Sequence, residues 1–445
     1  MNGIPVIQVG IMTSQVIQFE LKGIYVDANR HEYVSGKYAA TLREGLIVIQ
    51  DAQGKSELSG DFFLTPVNNM RAGFRLFDVT IGIGFHWQKQ EDQLFGGSLH
   101  LKNTLEGLTA INVLPVEDYL VSVISSEMRA TSSPEMLKAH AVISRGWLLA
   151  QIEKGRQIRG QQRKYQSTHQ SDEELIVWFD REDHNNYDVC ADDHCQRYQG
   201  ITRASSPLVE QAVRETSGEV LVYENKICDT RFSKCCGGVT ELFGNVWEPV
   251  NHPYLQRVVD NAGMHPMAGA DLSNETEAAK WILSEPPAFC NTADKSILSQ
   301  VLNDYDQTTR DFYRWKVSYS GEELCELIKR KTGIDFGTIY DLTPLERGVS
   351  GRIIRLRITG ASKTLVIGKE LQIRKALSET HLYSSAFVVE KVAAGNPPVF
   401  VLRGAGWGHG VGLCQIGAAV MGAKGYSYQE ILLHYFRGAE LERRY

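Results

Sequence analysis

The sequence predicts an α+β protein, with a β-rich N-terminal part and a mixed α+β core built around a long helix. Three observations predict it. Strand-type and helix-type stretches segregate along the chain instead of alternating. The first hundred residues carry short β-branched or aromatic runs divided by Gly and Asn. Past residue 114, proline and capping signals for helices set in.

Val6–Ile11 and Val16–Leu21 read as strands, and Phe74–Val79 and Ser98–Lys102 continue the pattern. Residues 1–102 are expected to form small antiparallel sheets and to offer no site chemistry. Leu114-Pro115-Val116-Glu117-Asp118-Tyr119 opens a short helix, with Pro in its first turn and acids near its positive end. That helix runs toward Glu127. Ser133 then N-caps a second helix with Pro134 at its first position. Leu137, Ala141, Ser144 and Leu148 recur at three- and four-residue spacing and mark its buried face, with His140 and Arg145 on the flanks. Residues 155–185 are polar and aperiodic, which reads as a long surface excursion. The stretch 250–345 holds helical pieces such as Ser320–Lys331 and no chemical signature. Strands return at Gly351–Ile358 and Pro398–Leu402. The chain then enters the Gly-rich run Gly404–Gly417, and Ser427 with Glu430 forms a capping box for the final helix.

A chain of 445 residues has room for one large domain or two ordinary ones. Hydrophobic residues at 43% and charged residues at 22% exclude a disordered or fibrous protein. Net charge is −6 with Lys and Arg scattered, so no nucleic-acid partner is expected. No stretch approaches the roughly 20 apolar residues that span a bilayer. The N-terminus shows no basic-then-apolar leader, which leaves cytoplasmic residence and export with a removed signal both open.

Three features carry candidate chemistry. Arg403-Gly404-Ala405-Gly406-Trp407-Gly408-His409-Gly410-Val411-Gly412 follows a strand and precedes an apolar helix. It lacks the Gly-Lys-Ser/Thr of a nucleotide loop. Glycines around one Trp and one His suit the approach of backbone and aromatic face to a flat ligand such as a sugar; a tight turn at a helix start is the plainer reading. Second, five of the eight cysteines fall between 190 and 236. His184, Cys190 and Cys195 supply one imidazole and two thiolates of the kind zinc accepts, with His194, another residue or water as fourth ligand. A buried pair of free cysteines is the alternative. Third, Glu127 lies between two helices, where a glutamate is ordinarily a capping or solvated residue.

The ordered blocks change that reading. Leu114-Pro-Val-Glu-Asp-Tyr-Leu, Ser126-Glu127-Met128 and Glu135-Met-Leu-Lys-Ala-His-Ala-Val-Ile-Ser-Arg145 resemble the stage II sporulation protein D and amidase-enhancer (SpoIID/LytB) family. Tyr187 to Gly200, Thr216-Ser-Gly-Glu, Gly237-Gly-Val-Thr-Glu241 and Gly406 to Gly412 with Gln415 follow in the family's order. The resemblance covers about 105–445, with 255–345 less typical. It implies a peptidoglycan lytic transglycosylase that cleaves the MurNAc–GlcNAc bond to a 1,6-anhydro product. It makes Glu127 the catalytic acid and His184, Cys190 and Cys195 the zinc ligands. Tyr119, Arg145, Trp407, His409 and Gln415 are expected around the glycan. It also implies a place in the cell envelope, and leaves a second class open: a non-catalytic, peptidoglycan-binding enhancer of a cell-wall amidase. Two departures stand out. Cys414 replaces a common Ser, and Lys234-Cys235-Cys236 replaces a Ser/Thr-rich approach to the double Gly.

Overall fold

The computed structural model describes residues 3–54, 56–68, 72–83, 88–129, 131–158, 166–179, 184–192, 194–202, 206–263, 269–301, 311–392 and 398–445. Strands and helices mix in the expected α+β manner. The N-terminal part forms two sheets. One has seven strands in the order Val189–Cys190, Val6–Ser14, Gly107–Pro115, Ser98–Thr104, Asp61–Pro66, Tyr25–Val26, Glu32–Tyr33. The other has six, in the order Lys89–Phe95, Gly73–Ile81, Val16–Lys22, Gly36–Arg43, Leu46–Asp51, Ser56–Ser59. Period-two alternation sends Ile7, Val9, Leu99 and Leu101 of the first sheet and Ile17, Phe19, Phe74 and Leu76 of the second into one core. The boundary expected near 102 falls inside a continuous hairpin, Ser98–Thr104 against Gly107–Pro115. These sheets are also not wholly antiparallel, because Val9–Gly10 pairs in parallel with Val189–Cys190.

Helices follow as α1 (Val116–Glu127), α2 (Pro134–Ile158), α3 (Pro207–Glu215), α4 (Glu275–Leu283), α5 (Lys295–Val301), α6 (Gly321–Thr332), α7 (Glu370–Ala376), α8 (Gln415–Ala423) and α9 (Tyr428–Tyr435). The long helix α2 is the hub, packing against α1, α3, α8 and α9. Leu137, Ala141, Ser144 and Leu148 are all fully buried, as their spacing predicts. Ser133 caps α2 by accepting from Met136 N–H at 3.3 Å, and α6 and α9 both carry complete capping boxes.

A second core, containing Trp315, Ile328, Leu356, Ile373 and Leu402, sits between two further sheets and helices α6 and α7. Here the reading of 155–185 as a surface excursion is corrected for its described residues. Thr168–Gln170 and Glu174–Val177 form a hairpin, and the second strand adds in parallel to Thr364–Gly368. Polar residues on this edge hairpin mask its period. No helix among the described residues is long and apolar enough to cross a membrane.

Candidate active site

Glu127 is the last residue of α1 and is half-buried. Met128 turns to extended backbone (φ −121°, ψ 153°) and ends the helix, its N–H still donating to Ile124 O. The connection to α2 is tied to α5. Arg129 N–H and Ser132 Oγ each donate to Gln300 O at 3.0 Å, and Ser133 N–H donates to Gln300 Oε1 at 3.3 Å. The Glu127 carboxylate has no hydrogen bond or ion pair among the described residues. Beside it, the hydroxyl oxygens of Ser125 and Ser126 are buried and also without a hydrogen-bond partner among the described residues.

Tyr119, one face round on α1, is fully buried against Tyr198, with ring centroids 5.1 Å apart. Burial holds its phenol well above the ordinary range, assisted by the negative potential of Cys195, Cys190, Tyr198 and Glu127. The same phenol thus lies within electrostatic reach of both Glu127 and the cysteine pair. Its hydroxyl donates to Gln196 Oε1 at 3.4 Å, and Gln196 Nε2 donates to Ser144 O at 3.3 Å. Ser144 Oγ bonds His140 Nδ1 at 3.2 Å, and His140 Nε2 lies 3.1 Å from Gln415 Nε2. Burial, with Lys234 nearby, pushes His140 down to about 3, so it is neutral. A buried polar chain therefore joins α1 through α2 to the first residue of α8.

Arg145 is likewise fully buried. Its guanidinium grips Glu117 in a fork, Nη2 to Oε2 at 2.6 Å and Nε to Oε1 at 3.0 Å, and donates to Glu219 O. Tyr119, Arg145 and Gln415, expected to touch glycan, are placed by the structure beneath the surface and committed to protein partners. His140 and Arg145, expected on the flanks of the α2 stripe, are inside it because each polar group there finds a partner.

His184, Cys190, His194 and Cys195 offer four ligand atoms that all lie within 4.8 Å of one another. His184 Nε2 is 3.3 Å from Cys195 Sγ, and His194 Nδ1 is 3.6 Å from Cys195 Sγ and 3.8 Å from Cys190 Sγ. The parallel pairing of Cys190 with Gly10 fixes the segment, and the Tyr187 ring occupies the space a side chain at Gly10 would need. Hydrogen bonding from Cys195, then from His184 and His194, draws the Cys190 thiol toward thiolate against the effect of burial. Two sulfurs and two imidazoles at this spacing fit tetrahedral zinc. The N-terminal strand Val6–Ser14, expected to carry no site chemistry, thus supports this set. It also lines an adjoining cavity of about 300 Å³ that His184, Cys190 and His194 border.

The Gly-rich loop folds as it does because Gly406, Gly408, Gly410 and Gly412 all sit at positive φ, from 74° to 96°. A Cβ at Gly412 would lie 2.1 Å from Arg231 O. Gly412→Ala is therefore expected to destabilise the protein by more than about 1 kcal/mol, read as a lower urea midpoint. The loop is held by Arg352, which the sequence did not single out, and by Glu241, the last residue of one of the ordered blocks. Buried Arg352 donates to Gly408 O at 3.0 Å, and Glu241 N–H donates to Gly410 O at 2.9 Å. The Glu241 carboxylate collects Ser350, Val349, Leu242 and Asn245. Trp407 is half-buried and stacked on Phe312 at 4.9 Å, with Tyr383 edge-on, so one indole face is already covered. His409 packs against Trp247 and accepts from Val411 N–H at Nδ1. Burial, then Arg231, Arg374 and Arg352, holds it well below its usual range and hence neutral. Another buried hydroxyl, Ser233 Oγ under Gly408, has no partner among the described residues.

Residues 104–223 match the family described as stage II sporulation protein, and residues 241–412 match a domain of unknown function. An uncharacterised protein of Brachyspira hyodysenteriae is 26% identical over 422 residues, covering 95% of this chain and 88% of that one. Stage II sporulation protein D of Bacillus amyloliquefaciens is 23% identical over 342 residues, 75% of each chain. The amidase enhancer of Bacillus subtilis is 25% identical over 259 residues, 55% of this chain but 34% of the longer relative.

Proposed function

We propose, for a chain that belongs to the stage II sporulation protein D family through residues 104–223, a lytic transglycosylase acting on cell-wall peptidoglycan outside the cytoplasm. One observation carries this reading. Glu127 is a half-buried carboxylate with no cation or donor committed to it among the described residues, beside buried hydroxyls that no described protein group satisfies. An unsatisfied buried polar atom costs about 1–3 kcal/mol. The partly exposed Glu127 carboxylate is free to accept from sugar hydroxyls.

One carboxylate is enough for this reaction. A glycoside hydrolase needs a second, to activate water or to act as nucleophile. Here the sugar's own C6 hydroxyl attacks C1. Glu127 gives its proton to the glycosidic oxygen as the C1–O bond breaks. Its carboxylate then takes the C6 hydroxyl proton as the 1,6-anhydro bond forms. Help of this kind is worth about 10²–10⁴ in rate. His409, neutral, and the exposed part of Trp407 orient the strand, while Tyr119, Arg145 and Gln415 act beneath the site as positioning residues. Zinc held by His184, Cys190, Cys195 and His194 would supply a fixed cross-link for the 184–195 segment. Cys190 and Cys195 lie within electrostatic reach of Tyr119, and the zinc would take no part in the proton transfers.

The amidase-enhancer relative supports a second reading, a module that binds peptidoglycan and stimulates a cell-wall amidase. The two separate when glycan strands stripped of stem peptides are incubated with wild type and Glu127→Ala. Soluble fragments from the wild type alone support the enzyme. No fragments from either protein, with glycan still co-sedimenting, support the enhancer.

A further inference from the structure

Away from Glu127, the fold gathers a second set of metal-type donors from distant parts of the sequence. Cys236 Sγ, Cys290 Sγ, Cys414 Sγ and a carboxylate oxygen of Asp260 all lie within 4.8 Å of one another, and all four residues are buried. They come from the approach to the double Gly, from the turn before α5, from the N-cap of α8 and from the segment paired beside Val239.

The spacing is that of a coordination sphere. Cys236 and Cys290 sulfurs are 3.6 Å apart. A disulfide bond is about 2.05 Å long, whereas sulfurs on tetrahedral zinc, with bonds of about 2.3 Å, stand about 3.8 Å apart. The outer groups are also in place. Cys236 N–H donates to Cys414 Sγ at 3.2 Å, Cys290 N–H to Asp260 Oδ2 at 2.8 Å, and Tyr435 OH to Asp260 Oδ1 at 2.6 Å. His434 Nε2 is buried without a hydrogen-bond partner among the described residues, 3.9 Å from Asp260 Oδ1. A lone cysteine is a common core residue. Three thiols from distant parts of the sequence closing on a fully buried carboxyl are not.

We propose that Cys236, Cys290, Cys414 and Asp260 hold a structural zinc ion, separate from the His184–Cys190–His194–Cys195 set. Three sulfurs and one oxygen favour zinc over magnesium or calcium. Four protein ligands, all buried, close the site to substrate. Each thiol that binds gives its proton to solvent, so uptake is weaker in acid. The ion ties α8 to the Cys235–Gly238 turn. That turn in turn carries the Gly406–Gly412 loop through the mutual backbone bonds of Cys235 and Trp407. Two cysteines at the sequence departures from the family, Cys236 and Cys414, thereby acquire a shared purpose.

The test is metal content of the full chain, loaded with zinc under reducing conditions and desalted. The key protein is Cys190→Ser/Cys195→Ser, in which only the second set is intact. It is expected to retain one zinc per chain by mass spectrometry of the metal. It should also give a thiolate-to-cobalt charge-transfer band when loaded with Co(II), and melt at lower temperature after chelation. Adding Cys236→Ser and Cys290→Ser should abolish the zinc and the band. If those further changes prevent folding, the first variant alone decides the matter. Retention of no zinc and no cobalt band by Cys190→Ser/Cys195→Ser overturns the proposal. So does an intact mass two hydrogens light, with a Cys236–Cys290 cross-linked peptide.

Discussion

Glu127→Gln is expected to lower glycan cleavage by about 10²–10⁴-fold while leaving the melting temperature and glycan affinity near wild type. The change keeps the side chain's shape and removes its ability to give and take a proton. No ion pair is broken, since the described residues commit none to Glu127. Loss in kcat with little change in KM would place the residue in the transition state. A comparable loss in binding would mean that Glu127 anchors substrate instead. If amidase stimulation were present and survived Glu127→Gln, the enhancer reading would gain.

Arg145→Ala is expected to cost about 3–5 kcal/mol of folding stability, measured by urea titration, because it strands a buried charge. Glu117, at the start of α1, accepts not only the Arg145 fork but also Gly218 N–H at 3.1 Å and Tyr445 OH at 2.8 Å. The pair thus fastens α1, α2 and the C-terminus together. Arg145→Lys should recover little, because an ammonium cannot reproduce the two parallel bonds. The pH dependence follows from Glu117. Burial pushes its carboxyl up, but the hydrogen bonds and charge of Arg145 outweigh this and hold it below its ordinary range. A depressed carboxyl contributes stability that is fully present above the unfolded value of about 4.3. That stability is lost as pH falls through the folded value. Wild type should therefore lose stability in that acid window, and Glu117→Gln/Arg145→Met should lose less of it.

Local signals were legible in the sequence. Ser133 and Pro134 marked the start of α2, the Ser427–Glu430 box marked α9, and glycine spacing marked the loop whose positive φ angles only glycine adopts easily. The strands Val6–Ser14 and Gly73–Ile81 followed their alternation. Interactions that depend on distant parts of the chain were not legible. Arg145 and Tyr119 looked like surface chemistry because nothing local reveals Glu117 or Gln196 as their partners. Asp260 and Cys290 lay in a stretch without a recognisable motif, and only folding brings them to Cys236 and Cys414. His194 was one option among several until the four ligand atoms met. The hairpin within 168–177 was hidden by polar side chains on an edge that joins a sheet formed nearly two hundred residues later.

In the proposed reaction a single carboxylate drives an intramolecular attack by sugar. The most direct measurement is the mass of newly formed glycan ends after digestion of stem-peptide-free strands in ¹⁸O-water. Ends one water lighter than reducing ends and free of ¹⁸O, formed by wild type and absent with Glu127→Gln, are the predicted result. Reducing ends carrying ¹⁸O would contradict it, since they require water as the nucleophile and a second group to activate it.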